Sequence, residues 1–429
     1  MRMLVKTSRK VMLLPNKKQE TRLFEFAGAA RFAYNWALDK EMQAFEQKKG
    51  FISAYDLRKE FTQVRHAKDT NWLEGISNNV TKQAIKDCAD AYQRFFKLQK
   101  ETGIKYTKKR LAHLARIGKK PTVYDRYGHP KFRSRKNGCF RFYQDVAKIR
   151  FSGTHVKLEA LTDSRRKNRQ SMNWVHLAER DRIPQDAKYM NPRVSYDGEH
   201  WWISVTIEQE ISEPTGVYGE GLGIDLGIKN LAVCSDGLAY KNINKTAKIR
   251  RIKKEKRRLQ RRISRAYGMA NPMKEKGVRY KKTCNLIRAE KRLLRLNHRL
   301  MNLRQNYTHQ ITSEIIGRKP SLICLEDLNV QGMMKNKHLA EKVQEENFYE
   351  FRRQVEYKAA RAGIPVVIAD RFYPSSKTCS HCGHVKKDLK LKDRTYICPV
   401  CGNQIDRDLQ AAINLRAYGE NDIEQKFAG

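Results

Sequence analysis

The chain has 429 residues, of which 88 are Lys or Arg and 46 are Asp or Glu, giving a formal net charge of +42. Membrane surfaces and acidic proteins need only a local basic cluster, whereas here basic residues occur in every segment, so the composition points to nucleic acid and away from both. The length predicts two or three domains with a core sizeable enough for an enzyme; no stretch approaches the roughly 18 apolar residues of a membrane span, so a cytoplasmic location is expected.

In chain order, LVKTSRKVML near the N-terminus predicts a strand that joins a β region farther along. Residues 11 to 105 read as a helical domain, from the spacing of Leu23, Phe26, Ala30, Tyr34 and Leu38 and again of Val80, Ile85, Ala89, Tyr92 and Phe96. The second of these helices opens on ISNNVTKQAIKD, which puts Asn78, Asn79, Lys82 and Gln83 on or near one exposed face; Asn at a helix start is also an ordinary cap. From 106 to 215 the chain turns to aromatic and β-branched residues with turn signals, among them NPRVSYDGEHWWISVTIEQE with Asp-Gly at its turn. Within this region HPKFRSRKNGCFRFYQ interleaves basic and aromatic side chains, with Lys131, Arg133 and Arg135 suited to phosphates and the rings to bases.

GLGIDLGIKNLAVCSDG, residues 221 to 237, predicts a buried strand, a tight glycine turn and a second strand, with Asp225 inside the apolar first strand. Residues 241 to 300 hold 23 Lys or Arg against three acids, too one-sided for an ordinary solvated helix face. Their apolar spacing predicts a helical hairpin turning at GMANP, and Arg257, Arg258 and Arg261 would line a nucleic-acid channel. PSLICLEDLNV is a further apolar strand, ending in Glu326 and Asp327.

Cys379, Cys382, Cys398 and Cys401 form two CxxC pairs separated by fifteen residues, the spacing of a four-sulfur shell for one structural zinc ion. The complete sulfur set leaves no vacancy for His381 or His384. The other five cysteines, Cys88, Cys139, Cys234, Cys284 and Cys324, have no partner-like spacing and read as reduced, mostly core-filling thiols. Finally, IDRDLQAAINLRAYG sets Asp406 and Asp408 at the start of a helix whose Leu409, Ala412 and Ile413 would face a core. Acids delivered by two strand ends and a helix start can converge on divalent ions, although strand-end acids also cap loops and Asp also caps helices.

GIDLGIKNLAV, ICLEDL, the double CxxC introduced by YPSSKTCSHCG, and DRDLQAAINL together resemble the split RuvC nuclease of the TnpB (OrfB) family, insertion-sequence-encoded relatives of the type V CRISPR effectors. LLPNKKQETRLFEFAGAARFAYNWAL resembles the opening of the same proteins, so the resemblance runs over nearly the whole chain. It implies a multidomain α+β fold: a β-barrel-like wedge domain (1–10 and 106–215), a helical recognition domain (11–105), a ribonuclease H-like RuvC nuclease domain with the basic hairpin (216–375), an inserted zinc ribbon (376–403) and the end of the nuclease domain (404–429). It implies an RNA-guided DNA endonuclease whose partners are a guide RNA and double-stranded target DNA, with a monomer favoured and a nucleoid-associated setting. Asp225, Glu326 and Asp408 match the family's three catalytic acids, which would hold two magnesium ions. Gln410 stands where the family commonly has Asn. The resemblance also places reading of a short flanking DNA motif in the helical domain, where Asn79 and Gln83 suit adenine and Lys82 suits guanine or phosphate. Two alternatives are an RNA-guided repressor that does not cut, and a transposase acting on DNA ends; all three acids are present and no HUH element is.

Overall fold

In the computed structural model, which describes residues 2–47, 49–135, 140–161, 172–212, 218–272, 282–390 and 393–428, the N-terminal alternation of polar and apolar residues forms one strand, β1 (Arg2–Leu14), that runs four residues past the expected boundary. Asn16 then caps a 30-residue helix, α1 (Lys17–Glu46): its side chain accepts the Gln19 N–H at 2.9 Å, and the Gln19 side chain accepts the Asn16 N–H at 3.0 Å. Helices α2 (Ala54–His66), α3 (Asn78–Thr102) and α4 (Lys108–Arg116) follow. The strands β2 (Phe140–Tyr143), β3 (Arg150–Ser152), β4 (His155–Lys157), β5 (Trp174–Leu177), β6 (Lys188–Tyr196) and β7 (Trp201–Ser212) join β1 in a seven-stranded sheet of order β2-β6-β7-β1-β5-β4-β3.

The expected hairpin at Asp-Gly is β6 to β7, where Tyr196 pairs with Trp201 and the Asp197 carboxylate accepts the N–H groups of Glu199 and His200 at 2.9 and 2.8 Å. The helical and β-rich segments share one hydrophobic core, and Arg2–Ile211 forms one compact unit. The cause is α1, which buries twelve of its 30 residues. Ala30, Ala33 and Ala37 allow close helix packing, while Phe26 sets its ring edge-on to Phe142 at 5.5 Å and Phe24 packs on Trp201 at 4.9 Å.

The second unit, Ser212–Gly429, is built on a five-stranded sheet. It begins with β8 (Leu222–Leu226), β9 (Asn230–Cys234) and β10 (Ala239–Lys241), which form an antiparallel meander. Then come α5 (Ala247–Ala270), α6 (Cys284–Gly317), β11 (Ile323–Glu326), α7 (Val330–Met333), α8 (Ala340–Glu346), α9 (Phe348–Ala362) and β12 (Val366–Ala369). β11 pairs parallel with both β8 and β12, so the order β10-β9-β8-β11-β12 is ribonuclease H-like. The chain ends with a small hairpin, β13 (Thr395–Ile397) and β14 (Gln404–Asp406), and α10 (Arg407–Ala428). Ile224, Ile323 and Leu325 share one apolar cluster with Ile311 and Ile315 of α6 and Phe351 and Val355 of α9, whereas Cys324, Val367 and Ala369 belong to a second cluster with Leu415 of α10. Period-2 alternation thus gives each face of the sheet its own helix layer.

The basic segment forms two long helices. α5 and α6 are held by Ile249, Ile252, Leu296 and Leu300 at one end and by Ile263, Leu286 and Ala289 at the other. The expected turn GMANP is helical through Ala270, and the link over 273–281 lies outside the described residues. Cys88, Cys234 and Cys324 are buried and Cys284 is exposed at the start of α6; Cys139 lies outside the described residues. No described helix is long and apolar enough to cross a membrane.

Candidate active site and metal centre

Parallel pairing aligns Gly223 with Cys324 and Ile224 with Leu325, so Asp225 and Glu326 come next, side by side on the face toward α10. α10 comes unusually close to that face. A Cβ on Gly223 would lie 2.0 Å from the Ala412 carbonyl oxygen and 2.4 Å from the Arg416 nitrogen, and one on Gly419 would lie 2.9 Å from Cys324 Cβ. Only a residue without a side chain allows this approach. Asp408 sits one helical turn before Ala412, a rise of ~5.4 Å, and Asp225 two residues beyond Gly223, about 6.6 Å along the strand. The same close approach therefore carries Asp408 over the strand ends. The buried stripe of α10 is Ala411, Ala412, Leu415 and Gly419, rather than the expected Leu409 and Ile413, which are half-buried, because the glycine-lined strand selects small residues at the contact.

The adjacent acids separate by their partners. Asp406 accepts the backbone N–H groups of Asp408 and Leu409 at 2.9 and 3.2 Å, the geometry of a helix cap. Asp327 is bound by Arg352 at 3.1 Å and by Arg371. Burial raises the Asp225 carboxyl well above the ordinary carboxylate range, and the negative charges of Glu326 and Asp408 push it further, with Arg407 opposing. Glu326 is raised by burial, drawn back by the Leu226 N–H, and raised again by Asp408. Asp408 has Arg394 at 3.9 Å. Two buried acids raised in this way beside a third carboxylate, all hard oxygen donors, form a locus that a divalent cation would neutralise.

In the ribbon, the Cys379 and Cys401 sulfurs are 3.6 Å apart, as are those of Cys382 and Cys398, and all four lie within 4.8 Å of one another. A disulfide would need about 2.05 Å, whereas thiolates arranged tetrahedrally ~2.3 Å from one ion stand about 3.8 Å apart. The donor set fits zinc. Among the described residues this is the single group of three or more His, Cys, Asp or Glu that brings its ligand atoms so close. The ribbon is tied directly to the acid site: β14 ends at Asp406 and α10 begins at Arg407. Gln410, fully buried, donates to the Thr378 carbonyl at 2.6 Å and accepts from Ser380 at 3.1 Å, and Asn414 donates to the carbonyls of Ser375 and Thr378 at 2.7 Å. Gln410, where the family commonly has Asn, thus has both ends of its amide bonded. The sequence signal for this joint, two amides at i and i+4 within an otherwise apolar helix face, was present but unread.

The expected nucleic-acid residues divide. Asn78 and Lys82 are exposed, but Asn79 is half-buried and donates to Asp145 at 2.8 Å and to Glu159, and Gln83 donates to Asp87 at 3.0 Å. Asn79 and Gln83 therefore do not stand free on the helix face, because α3 turns them toward carboxylates of its own unit. Lys131 and Arg135 are exposed, whereas the Arg133 guanidinium lies 3.5 Å from the centre of the Tyr34 ring, and its backbone N–H and carbonyl bond the side-chain amide of Asn35 at 2.8 Å. Arg257, Arg258 and Arg261 are exposed along α5, with Arg257 3.4 Å from Glu341.

Three family models match successive parts of the chain: a helix-turn-helix domain over residues 1–50, a probable transposase of the OrfB IS605 type over 203–337, and a Cas12f1-like TNB domain over 348–415. These matches bear out the resemblance to the TnpB (OrfB) family. Residues 1–50 fold here as a strand and one long helix. Similar proteins include the putative RNA-guided DNA endonuclease InsQ of Escherichia coli K12, 26% identical over 96% of this chain and 91% of that one, and a putative RNA-guided DNA endonuclease of Streptomyces pristinaespiralis, 26% identical over 97% and 90%. In fold the chain is similar to the protein of a Cas12f1–sgRNA–target DNA complex, with a TM-score of 0.53, 14% identity, and coverage of 93% of this chain and 82% of that one.

Proposed function

We propose that this protein is a TnpB-type RNA-guided DNA endonuclease that hydrolyses phosphodiester bonds at the site of Asp225, Glu326 and Asp408. The observation that carries the reading is the meeting, on one sheet face, of acids from three distant segments, with Asp225 and Glu326 raised by burial and neighbouring negative charge, while their chain neighbours Asp327 and Asp406 are occupied elsewhere. The names of relatives that match almost the whole chain support the same activity. Asp225, Glu326 and Asp408 would hold two magnesium ions, which supply an activated water and neutralise charge building on the phosphate and the leaving oxygen. The carboxylates orient that site from rigid strand ends, and α10 brings Asp408 to it. The four cysteines would hold one structural zinc, so that the ribbon sets the angle at which α10 enters the site. Guide RNA and double-stranded DNA are the proposed partners, with the basic faces of α5 and α6 taking phosphates.

The test is cleavage of a target matched to the RNA that copurifies, with magnesium present. Asp225→Ala or Asp408→Ala should abolish cutting and leave target binding almost unchanged, while Asp406→Asn, which preserves a helix cap, should cut well. Persistent cutting by Asp225→Ala removes the assignment, and binding without any cutting by the unaltered protein turns the reading to a repressor.

A further inference from the structure

In the first unit, at the C-terminal end of α1, lies a cleft of about 710 Å³ whose wall includes Phe45, Glu46, Tyr106, Val123, Tyr124 and Arg126. Its size is within the ~300–1,000 Å³ of ligand-sized sites. Its outer wall is a loop closed at its base. Tyr106 and Arg126 pair as an antiparallel bridge, and the Lys105 carbonyl accepts the Tyr127 N–H at 2.7 Å, so α4 and the turn at Thr122–Asp125 are pinned between them. Asp125 fixes that turn: its carboxylate accepts the Thr122 N–H and hydroxyl, both at 2.8 Å, and the Arg110 guanidinium at 2.7 Å. The Tyr124 hydroxyl donates to Glu46, which ties the loop to α1. Bonds of the chain itself thus brace the walls.

Two groups of opposite charge line the cleft without bridging each other. Glu46 gives one oxygen to Tyr124 and its other oxygen has no partner among the described residues, while the Arg126 Nε–H is buried and has no acceptor among them. A buried donor without an acceptor is unfavourable, which points to an acceptor supplied from outside the chain. Phe45, 37% exposed, and the half-buried Tyr106 and Tyr124 add aromatic rings. The matching occupant has flat apolar faces, donors for a carboxylate and acceptors for a guanidinium. Guanine has all three: N1–H and the N2 amine stand side by side on its pairing edge, and O6 and N7 are acceptors for arginine. The other bases carry one donor group on that edge. Because pairing would occupy N1 and N2, the base must be unpaired. Residues 103–135 hold eleven Lys or Arg and one acid, Asp125, which is already bonded. That surplus suits a chain of phosphates rather than a single nucleotide. The stretch lies outside the three matched family models.

We propose that this cleft captures one unpaired guanine of the RNA that the protein carries, with Glu46 accepting from N1 and N2, Arg126 donating to O6 or N7, and Phe45 and Tyr106 stacking on the base. This rests on the RNA-guided reading. It adds a base-specific site by which the chain tells its own RNA from others, placed in a different compact unit from the nuclease acids.

Kethoxal adds across N1 and N2 of guanine only where that edge is free, so it reads the proposed contact directly. In the full chain with its copurified RNA, one guanine that reacts in the protein-free RNA should be protected about tenfold, the scale of one base-specific contact. Glu46→Gln and Arg126→Gln should each restore its reactivity and leave the other protections in place. A second arm uses the full chain freed of RNA at high salt and labelled uridine decamers carrying one guanosine or one adenosine. The guanosine decamer should bind about tenfold tighter, and Glu46→Gln should remove the difference. No protected guanine, protection indifferent to both variants, or equal affinity for the two decamers overturns the proposal. GMP that raises the unfolding temperature of the RNA-free chain while the decamers bind equally assigns the cleft to a free nucleotide instead. If no RNA copurifies, the RNA-guided reading fails, and the decamers still decide the cleft.

Discussion

Gly223→Ala tests whether the close approach of α10 sets the acid site. The added Cβ would meet the Ala412 oxygen at 2.0 Å, where ordinary contact begins at 3.4 Å. Both atoms it strikes belong to the helix backbone, so no rotamer change relieves the clash and α10 must retreat by roughly 1.4 Å. Overpacking of this kind costs about 1–3 kcal/mol, felt in the cluster of Cys324, Val367, Ala369 and Leu415. Asp408 rides on the same rigid helix one turn upstream, and a misplacement of ~1 Å in a catalytic constellation costs on the order of 10²-fold in rate. Single-turnover cleavage by Gly223→Ala should therefore fall about a hundredfold, while thermal unfolding shows a folded protein that retains RNA and zinc. Cutting at the unaltered rate would refute the reasoning, since it would mean that Asp408 does not depend on how closely α10 lies on β8.

Cys401→Ser should lower the bound zinc measured by elemental analysis and reduce cleavage, since it breaks a four-sulfur set whose hairpin runs straight into α10; full zinc content would remove the ligand assignment. In the first unit, Glu41 is 2% exposed, accepts the Ile52 N–H at 3.3 Å, and is pushed by burial up to about 7. The folded chain therefore holds a proton there that the unfolded chain has released, and stability from this group is greatest at low pH and declines as pH rises from the ordinary carboxylate value through about 7. Glu41→Gln should match the unaltered protein near pH 5 and exceed it at pH 8 by up to about 3 kcal/mol in denaturant unfolding, and equal stability at both pH values would contradict the buried-acid account.

What the sequence by itself determined was local in origin. A continuous apolar run marks β8 and β11 because a strand buried on both faces must be apolar nearly throughout, whereas the 3.6-residue period marks α1, α3, α5 and α6 because each buries one face. The double CxxC is legible because ligand spacing is set within each turn. Resemblance, not spacing, preferred Glu326 to Asp327 and Asp408 to Asp406. Only the tertiary structure decided what each of those acids touches: strand register sets Glu326 beside Asp225, arginines from α9 and from the segment after β12 engage Asp327, and a glycine in β8 sets the depth of α10. The same holds for Asn79, Gln83 and Arg133, whose side chains are equally suited to DNA and to the carboxylates and ring that engage them here. A polar side chain's chemistry is written in its own residue, but its partner is contributed by chain that is distant in sequence, so its role emerges only when packing has brought the two together.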